Sequence, residues 1–195
     1  MFASPPKCRP ASNDPTASIP KSLHVANQAI AILAVQLHYS PVFFLDPKIK
    51  SDPVRRWQLP DRIFFGHGAC HILAGVYLAN PPMAGFFAER ILPSRGLLGN
   101  HIYVTDGVIA FDYRGYTVRN KMLRYHKKNW SRTAENWSCI VEKVQFDLLD
   151  TNSLNRRKMK GPNQYFGDPL ERSKRFIRGI NHRESFRKAS MTMCV

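Results

Sequence analysis

The sequence predicts an α+β fold in which a nucleophile-bearing helix packs on an antiparallel sheet, and three observations carry that expectation. The segments on either side of Asp106-Gly107, His101 to Thr105 and Val108 to Asp112, are strand-like, and Asp-Gly is the pair favoured by a tight hairpin turn. The apolar run from Ile72 to Ala79, entered through Gly66 and Gly68 and closed by Asn80-Pro81-Pro82, has the length and borders of a buried helix. Further strand-like segments follow this helix rather than alternating with other helices.

With Asp106 and Gly107 at the centre of a type I′ turn, Thr105 faces Val108, Val104 faces Ile109, Tyr103 faces Ala110, Ile102 faces Phe111 and His101 faces Asp112. Side chains alternate along a strand, so one face carries Ile102, Val104, Ile109 and Phe111 and the other carries His101 and Asp112. Opposed residues have Cβ atoms about 4.5–5.5 Å apart, close enough for a carboxylate to hold an imidazole. A histidine oriented in this way is half of a nucleophilic site. Cys70 supplies the other half, because it falls in the first turn of the expected helix. Unpaired N–H groups and the helix dipole there lower a thiol from its ordinary pKa of about 8.5, and the same N–H groups can hold an oxyanion.

Cys70 with Ala74 one turn later, then the His101-x-x-Val104 strand and the Phe111-Asp112-Tyr113 strand, resembles the core pattern of the papain-like and transglutaminase-like thiol superfamily. The resemblance covers roughly residues 60 to 116. It implies a hydrolase or acyltransferase, protease-, deamidase- or transglutaminase-like, acting on an amide, isopeptide or thioester carbonyl of a protein or peptide. Cys70 would be its nucleophile, His101 its general base and acid, and Asp112 the orienting carboxylate, with no cofactor. His71 replaces the Trp or Gly often found beside the nucleophile, and no Gln or Asn stands just upstream. Gln58, His67 and His71 are the candidates for the oxyanion or auxiliary role. Two other classes stay open: a basic binding protein with an incidental triad, and a thiol fold used for binding alone. His67-x-x-Cys70-His71 also has metal-ligand types, but zinc takes four ligands or three and a water and no second pair completes the set, so no metal is expected.

Composition bounds these readings. In 195 residues a 44% hydrophobic content excludes wholesale disorder and suits one ordinary domain. The expected organisation is a disordered tail over 1–18, a domain over 19–182 with the thiol core at about 60–116 and a basic part at 119–182, and a flexible tail over 183–195. Cysteines at 8, 70, 139 and 194 lack paired spacing, which suits a reducing, cytoplasmic setting. The N-terminus does not read as a signal peptide. The apolar stretch from Leu23 to Leu37 is broken by polar residues and short of the roughly 20 apolar residues of a membrane span, so it reads as a core helix.

The net charge of +15 is concentrated: residues 119–188 hold eighteen Lys or Arg against seven Asp or Glu. Such a concentration favours nucleic acid or another anionic surface, with Arg156, Arg157, Lys158 and Lys160 as the candidate contact loop. Asp168-Pro169-Leu170-Glu171 marks a helix start, followed by an apolar stripe of Leu170, Phe176, Ile177 and Ile180. Of the remaining segments, 46–62 reads as a proline-rich connector, 85–92 and 139–146 as strands, 116–125 as a helix, and 42–45 as a short strand or helix end. The seven-residue offset of Trp130 and Trp137 places them on one helix face.

Overall fold

A computed structural model describes residues 45–192; the expected N-terminal tail, the helix at 23–37 and nearly all of 42–45 lie outside that range. Three short helices come first: α1 (Pro47–Ser51), α2 (Pro53–Trp57) and α3 (Asp61–Gly66). The prolines that suggested a connector stand at or just before helix starts, where a missing N–H costs nothing. Asp46 and Asp52 cap the first two, accepting from the N–H groups of Lys48 and of Val54 and Arg55.

Helix α4 (Cys70–Ala79) is the central element, buried from His71 through Tyr77. It packs on the sheet on one side and on a later helix, Pro169–Arg178, on the other, which explains why it is apolar nearly all round. Gly75 lets the segment after the sheet approach closely, since a Cβ there would lie 2.7 Å from Leu149 Cδ2 and 3.0 Å from Leu148 Cβ.

The sheet comprises β1 (Phe87–Pro93), β2 (His101–Thr105), β3 (Ile109–Asp112), β4 (Gly115–Val118) and β5 (Cys139–Lys143), in the order β4-β3-β2-β1-β5. Every neighbouring pair is antiparallel. The fold is thus mixed α and β with one five-stranded antiparallel sheet. The expected strand before the hairpin is β1, lying beside β2.

The β2–β3 register differs from the expected one. Val104 pairs with Phe111 and Thr105 with Ala110, a shift of two residues. Asp106 does not occupy a central turn position; its Oδ1 accepts from the N–H groups of Val108 and Ile109, and Thr105 Oγ1 accepts from Gly107 N. These side-chain bonds hold a wider loop than a two-residue turn. A shift of two keeps each side chain on its face, so His101 and Asp112 remain together as a diagonal pair.

Both faces of the sheet are covered. Ile102, Val104 and Phe111 join Ala88, Phe64, Phe65 and the α4 side chains in the larger core. Tyr103, Ala110 and Ile91 meet Met122 and Trp137 in a second core, on the face the alternation pattern had left to the polar pair. Met122 comes from α5 (Arg119–Trp130). The helix expected from Tyr116 therefore begins only at Arg119, because residues 115–118 pair with β3 instead. Helix α5 ends at Trp130, so Trp137 reaches the same apolar cluster from a loop, donating from Nε1 to Leu98 O at 2.7 Å. The last strand stops at Lys143, short of Phe146.

The chain continues through α6 (Thr151–Asn155), a 3-10 turn at Pro162–Gln164 and α7 (Pro169–Arg178), where Asp168 accepts from Leu170 N and Glu171 N as its motif predicts. Residues after His182, expected to fray, form α8 (His182–Met191). Its anchors are aromatic: Phe186 packs edge-on against Phe86 and Tyr116, and His182 bonds to Tyr116 Oη and Ile177 O. Two well-placed rings hold a helix whose average polarity is high. Among the described residues no helix is long and apolar enough to cross a membrane.

Arg172 ties α7 to the start of the domain. Nearly buried, it pairs with Asp61 at 2.7 Å, donates to the carbonyls of Trp57 and Leu59, and lies 4.2 Å from the Phe64 ring centroid. Replacing it with alanine strands two carbonyls and removes the packing of the guanidinium on Trp57 and Phe64, so Arg172→Ala is expected to lose about 2–4 kcal/mol of stability. Arg172→Lys should recover only part, because an ammonium cannot span the same three acceptors. Denaturant midpoints of the two variants check this, and a loss below about 0.5 kcal/mol in the alanine variant would contradict it.

Candidate thiol site

Cys70 is the first residue of α4, after Ala69, which offers no side-chain cap. The first intrahelical bond runs from Leu73 N to Ala69 O, so the N–H groups of Cys70, His71 and Ile72 have no acceptor within the helix. Gly68, two residues upstream, has φ +134 and an oxygen that accepts from both Arg56 Nη2 (2.9 Å) and Tyr165 Oη (2.8 Å). A left-handed glycine held by two donors fixes the direction in which α4 starts.

His101 opens β2 and is 3% exposed. Its Nε2 donates to Asp112 Oδ2 at 3.1 Å, and its side chain interacts electrostatically with the Cys70 thiol. With Nε2 on the carboxylate, Nδ1 is the nitrogen left for the sulfur. The structure thus brings Cys70, His101 and Asp112 together. Cys70 is surrounded by these groups yet keeps part of its surface open.

Asp112 is fastened from its other side. Arg114 Nη2 lies 2.6 Å from Oδ2, Arg114 Nε spans both carboxylate oxygens, and Arg114 N donates to Oδ1 at 2.8 Å. The β3–β4 turn accomplishes this, since Asp112 pairs with Gly115 and Tyr113-Arg114 form the bend between them. Burial alone would raise the carboxyl pKa; the charges of Arg114 and His101 and their hydrogen bonds hold it far below the ordinary range.

The same reasoning fixes the other two groups. Burial opposes charge on the Cys70 thiol, but hydrogen bonds and positive charge from His101 and His71 outweigh it and hold the thiol down at about 5. Burial also opposes charge on His101, but hydrogen bonds from Asp112 and Cys70 and their negative charges raise it to about 9. Between those values the pair is thiolate and imidazolium. His126 stacks on His101 with ring centroids 5.8 Å apart and donates from Nε2 to Gly99 O. Burial, then the charge of His101, push His126 down to about 3, so the stacked ring stays neutral. Tyr113 covers the edge of His101 at 5.6 Å.

The auxiliary candidates fare differently. His71 is buried, donates from Nε2 to Lys160 O at 2.8 Å and interacts with the Cys70 thiol, so its Nε2 is committed to the backbone rather than free for another acceptor. His67 caps the C-terminus of α3; burial, then Lys50 and His101, lower its pKa, which places it within electrostatic reach of His101. Gln58 is exposed at the C-terminal cap of α2, a helix separate from the one that carries Cys70. Among the described residues no three His, Cys, Asp or Glu side chains converge to hold a metal, and His67, Cys70 and His71 are spread between two helices.

Arg156, Arg157, Lys158 and Lys160 are exposed. Arg157 covers the Phe146 ring at 4.1 Å and donates to Ser153 O, and the loop is joined to α4 through the Lys160 carbonyl. Sequence reasoning missed Arg114, His126, Arg56 and Tyr165. Only Arg114 had a local signal, as a cation two residues beyond the aspartate at a hairpin bend.

Thiolate character is directly measurable. The Cys70 thiolate exists above its lowered pKa, so alkylation by iodoacetamide is expected to keep its rate down to about pH 5 and to fall only below that. In His101→Gln the midpoint should climb to about 8.5 or higher, where an ordinary or buried thiol ionises. Cys139, whose thiol burial pushes up, is an internal contrast when labelling is resolved by peptide mass. A wild-type Cys70 midpoint near 8.5 would refute the ion pair. No family model matches this chain, and no curated protein or solved structure matches it either.

Proposed function

We propose that the chain is a thiol-dependent hydrolase or acyltransferase with a papain-like or transglutaminase-like core, acting on an amide, isopeptide or thioester carbonyl. The observation that carries this reading is the grouping of Cys70, His101 and Asp112: a buried His101–Asp112 hydrogen bond, with the half-buried Cys70 close enough to His101 for its thiol to be held down by that ring. A surface histidine–aspartate pair would need none of these features.

Cys70 Sγ attacks the carbonyl carbon as the thiolate. The developing oxyanion is held by N–H groups at the start of α4, whose dipole points its positive end there. His101, as imidazolium, passes its Nδ1 proton to the leaving nitrogen or sulfur as the carbonyl re-forms, leaving a thioester on Cys70. In the second half His101 takes a proton from water or an incoming amine, which attacks the thioester and frees the thiolate. Asp112 keeps the ring oriented and stabilises its cationic form throughout. Arg114 acts through Asp112 as a positioning residue.

An activated ester such as p-nitrophenyl acetate tests the first half without knowledge of the natural substrate. The wild-type protein is expected to release a burst of nitrophenolate and to carry an acetyl group on Cys70. Cys70→Ala should show neither, and Asp112→Asn should acylate about 10⁴-fold more slowly, as when the orienting carboxylate of a triad is neutralised. Equal acylation of Cys70 in wild type and His101→Gln would sink the proposal.

A further inference from the structure

Arg56 stands apart from the other buried charges of this protein. It is 8% exposed, its Nε is shielded from solvent and has no acceptor, and its Nη2 reaches only the Gly68 carbonyl. Among the described residues no carboxylate forms an ion pair with it. The nearest acid in sequence, Asp52, is committed to capping α2 through Val54 N and Arg55 N. A guanidinium cannot shed its charge by deprotonation, so burying it without a counter-charge is costly.

The other residues around it are of a kind. Arg56 lines a shallow cleft with Lys160, Gln164, Trp57, Tyr165 and Phe166, a set holding two cations and no anion. Phe166 is 62% exposed, an apolar surface at the cleft that no packing requirement of the core explains. Tyr165 lies under the Arg56 guanidinium at 5.6 Å and donates to the same Gly68 oxygen that Arg56 grips. Gly68 is two residues before Cys70, so its Cα is within about 7.6 Å of the nucleophile's along the chain. On the other side, Lys160 offers its carbonyl to His71, the residue after Cys70. The cleft and the thiol therefore share one backbone segment.

We propose that this cleft is a subsite for an organic oxyanion, a carboxylate or phosphate carried on an apolar or aromatic body, which anchors the substrate of Cys70. The oxyanion supplies the charge that Arg56 lacks, Lys160 adds a second cation at the rim, and Trp57 and Phe166 take the apolar body. An arginine fork is suited to planar or tetrahedral oxyanions, and its hydrogen bonds to them are of the stronger, charge-assisted type. Cations with apolar walls also distinguish this site from the exposed Arg156–Lys158 stretch, which offers charge alone. The assignment rests on the acyl-transfer reading for the role of the bound group, though not for its binding.

Binding is therefore measured on the full-length Cys70→Ala protein, where no acylation can interfere, with benzoate, phenyl phosphate and neutral benzamide as probes. Each is titrated by calorimetry and by ¹H–¹⁵N spectra that report the Arg56 Nε–H. The expected result is saturable binding of an anionic probe that shifts the Arg56 signal, with benzamide at least tenfold weaker. Lys160→Glu, a change at an exposed side chain, should weaken the anion at least tenfold while the remaining amide spectrum stays unchanged. The tighter of benzoate and phenyl phosphate identifies carboxylate or phosphate as the natural group. Equal binding of benzamide, an unmoved Arg56 signal, or anion affinity unaltered in Lys160→Glu would each overturn the subsite. Anion binding at Arg56 with no burst acylation of the wild-type Cys70 would instead leave the subsite standing and remove the catalytic reading.

Discussion

The site depends on the contact between Asp112 and Arg114. A carboxylate 4% exposed cannot stay ionised at the end of a strand without a compensating charge. Arg114 supplies it with a near-bidentate grip and a backbone N–H from the same residue. Once Asp112 is held negative, His101 is held positive, and once His101 is positive the Cys70 thiol gives up its proton at lower pH. Neighbouring groups then alternate in sign, from thiolate to imidazolium to carboxylate to guanidinium. Each desolvated charge has an opposite neighbour, which makes the row tolerable in the interior where any member alone would not be.

The protein surrounds this row with groups that add no charge of their own. His126 could compete as a cation, but burial and the neighbouring imidazolium keep it neutral, and its ring stacks flat on His101. Tyr113 closes the edge. On β1, Glu89 is matched by Arg119 at 2.6 Å and by the hydroxyl of Tyr103. The second core, under α5, is thus apolar at Ile91, Ala110 and Met122 and polar only where partners are complete. Water exclusion there strengthens the electrostatics that hold the thiolate.

Much of this was legible in the sequence, though for a subtler reason than the turn type. Asp106-Gly107 announced a hairpin, and the hairpin exists, but Asp106 bonds forward to Val108 and Ile109 and so widens the loop. The resulting slip is even. An odd slip would have sent His101 and Asp112 to opposite faces, whereas a slip of two turned a direct pair into a diagonal one and left the hydrogen bond intact. Cys70 at the helix start was legible because Gly66 and Gly68 punctuate the chain just before an unbroken apolar run. The second core was not, since alternation along β2 and β3 cannot reveal that a distant helix covers the polar-looking face. Nor was α8: its sequence is mostly polar, and only the long-range packing of His182 and Phe186 onto Tyr116 fixes it. Residues 115–118 lost their helical pattern to pairing with β3, another contact that local periodicity does not contain.

Arg56 and Arg172 show how the same residue type serves two ends within one neighbourhood. Both are 8% exposed and both lie near Trp57 and Phe64, at the joint between the short N-terminal helices and the later part of the chain. Arg172 meets a carboxylate and two carbonyls with three different nitrogens, so its charge is neutralised and its fork is filled. Its arrangement is complete within the fold, and the structural role follows from that completeness. Arg56 receives one carbonyl and leaves Nε without an acceptor. Folding could have placed an acid beside it, as it did beside Arg172, Arg119 and Arg114. The carbonyl it does hold belongs to Gly68, whose position sets the start of α4, so any group that draws on the charge of Arg56 acts on the backbone leading directly into Cys70.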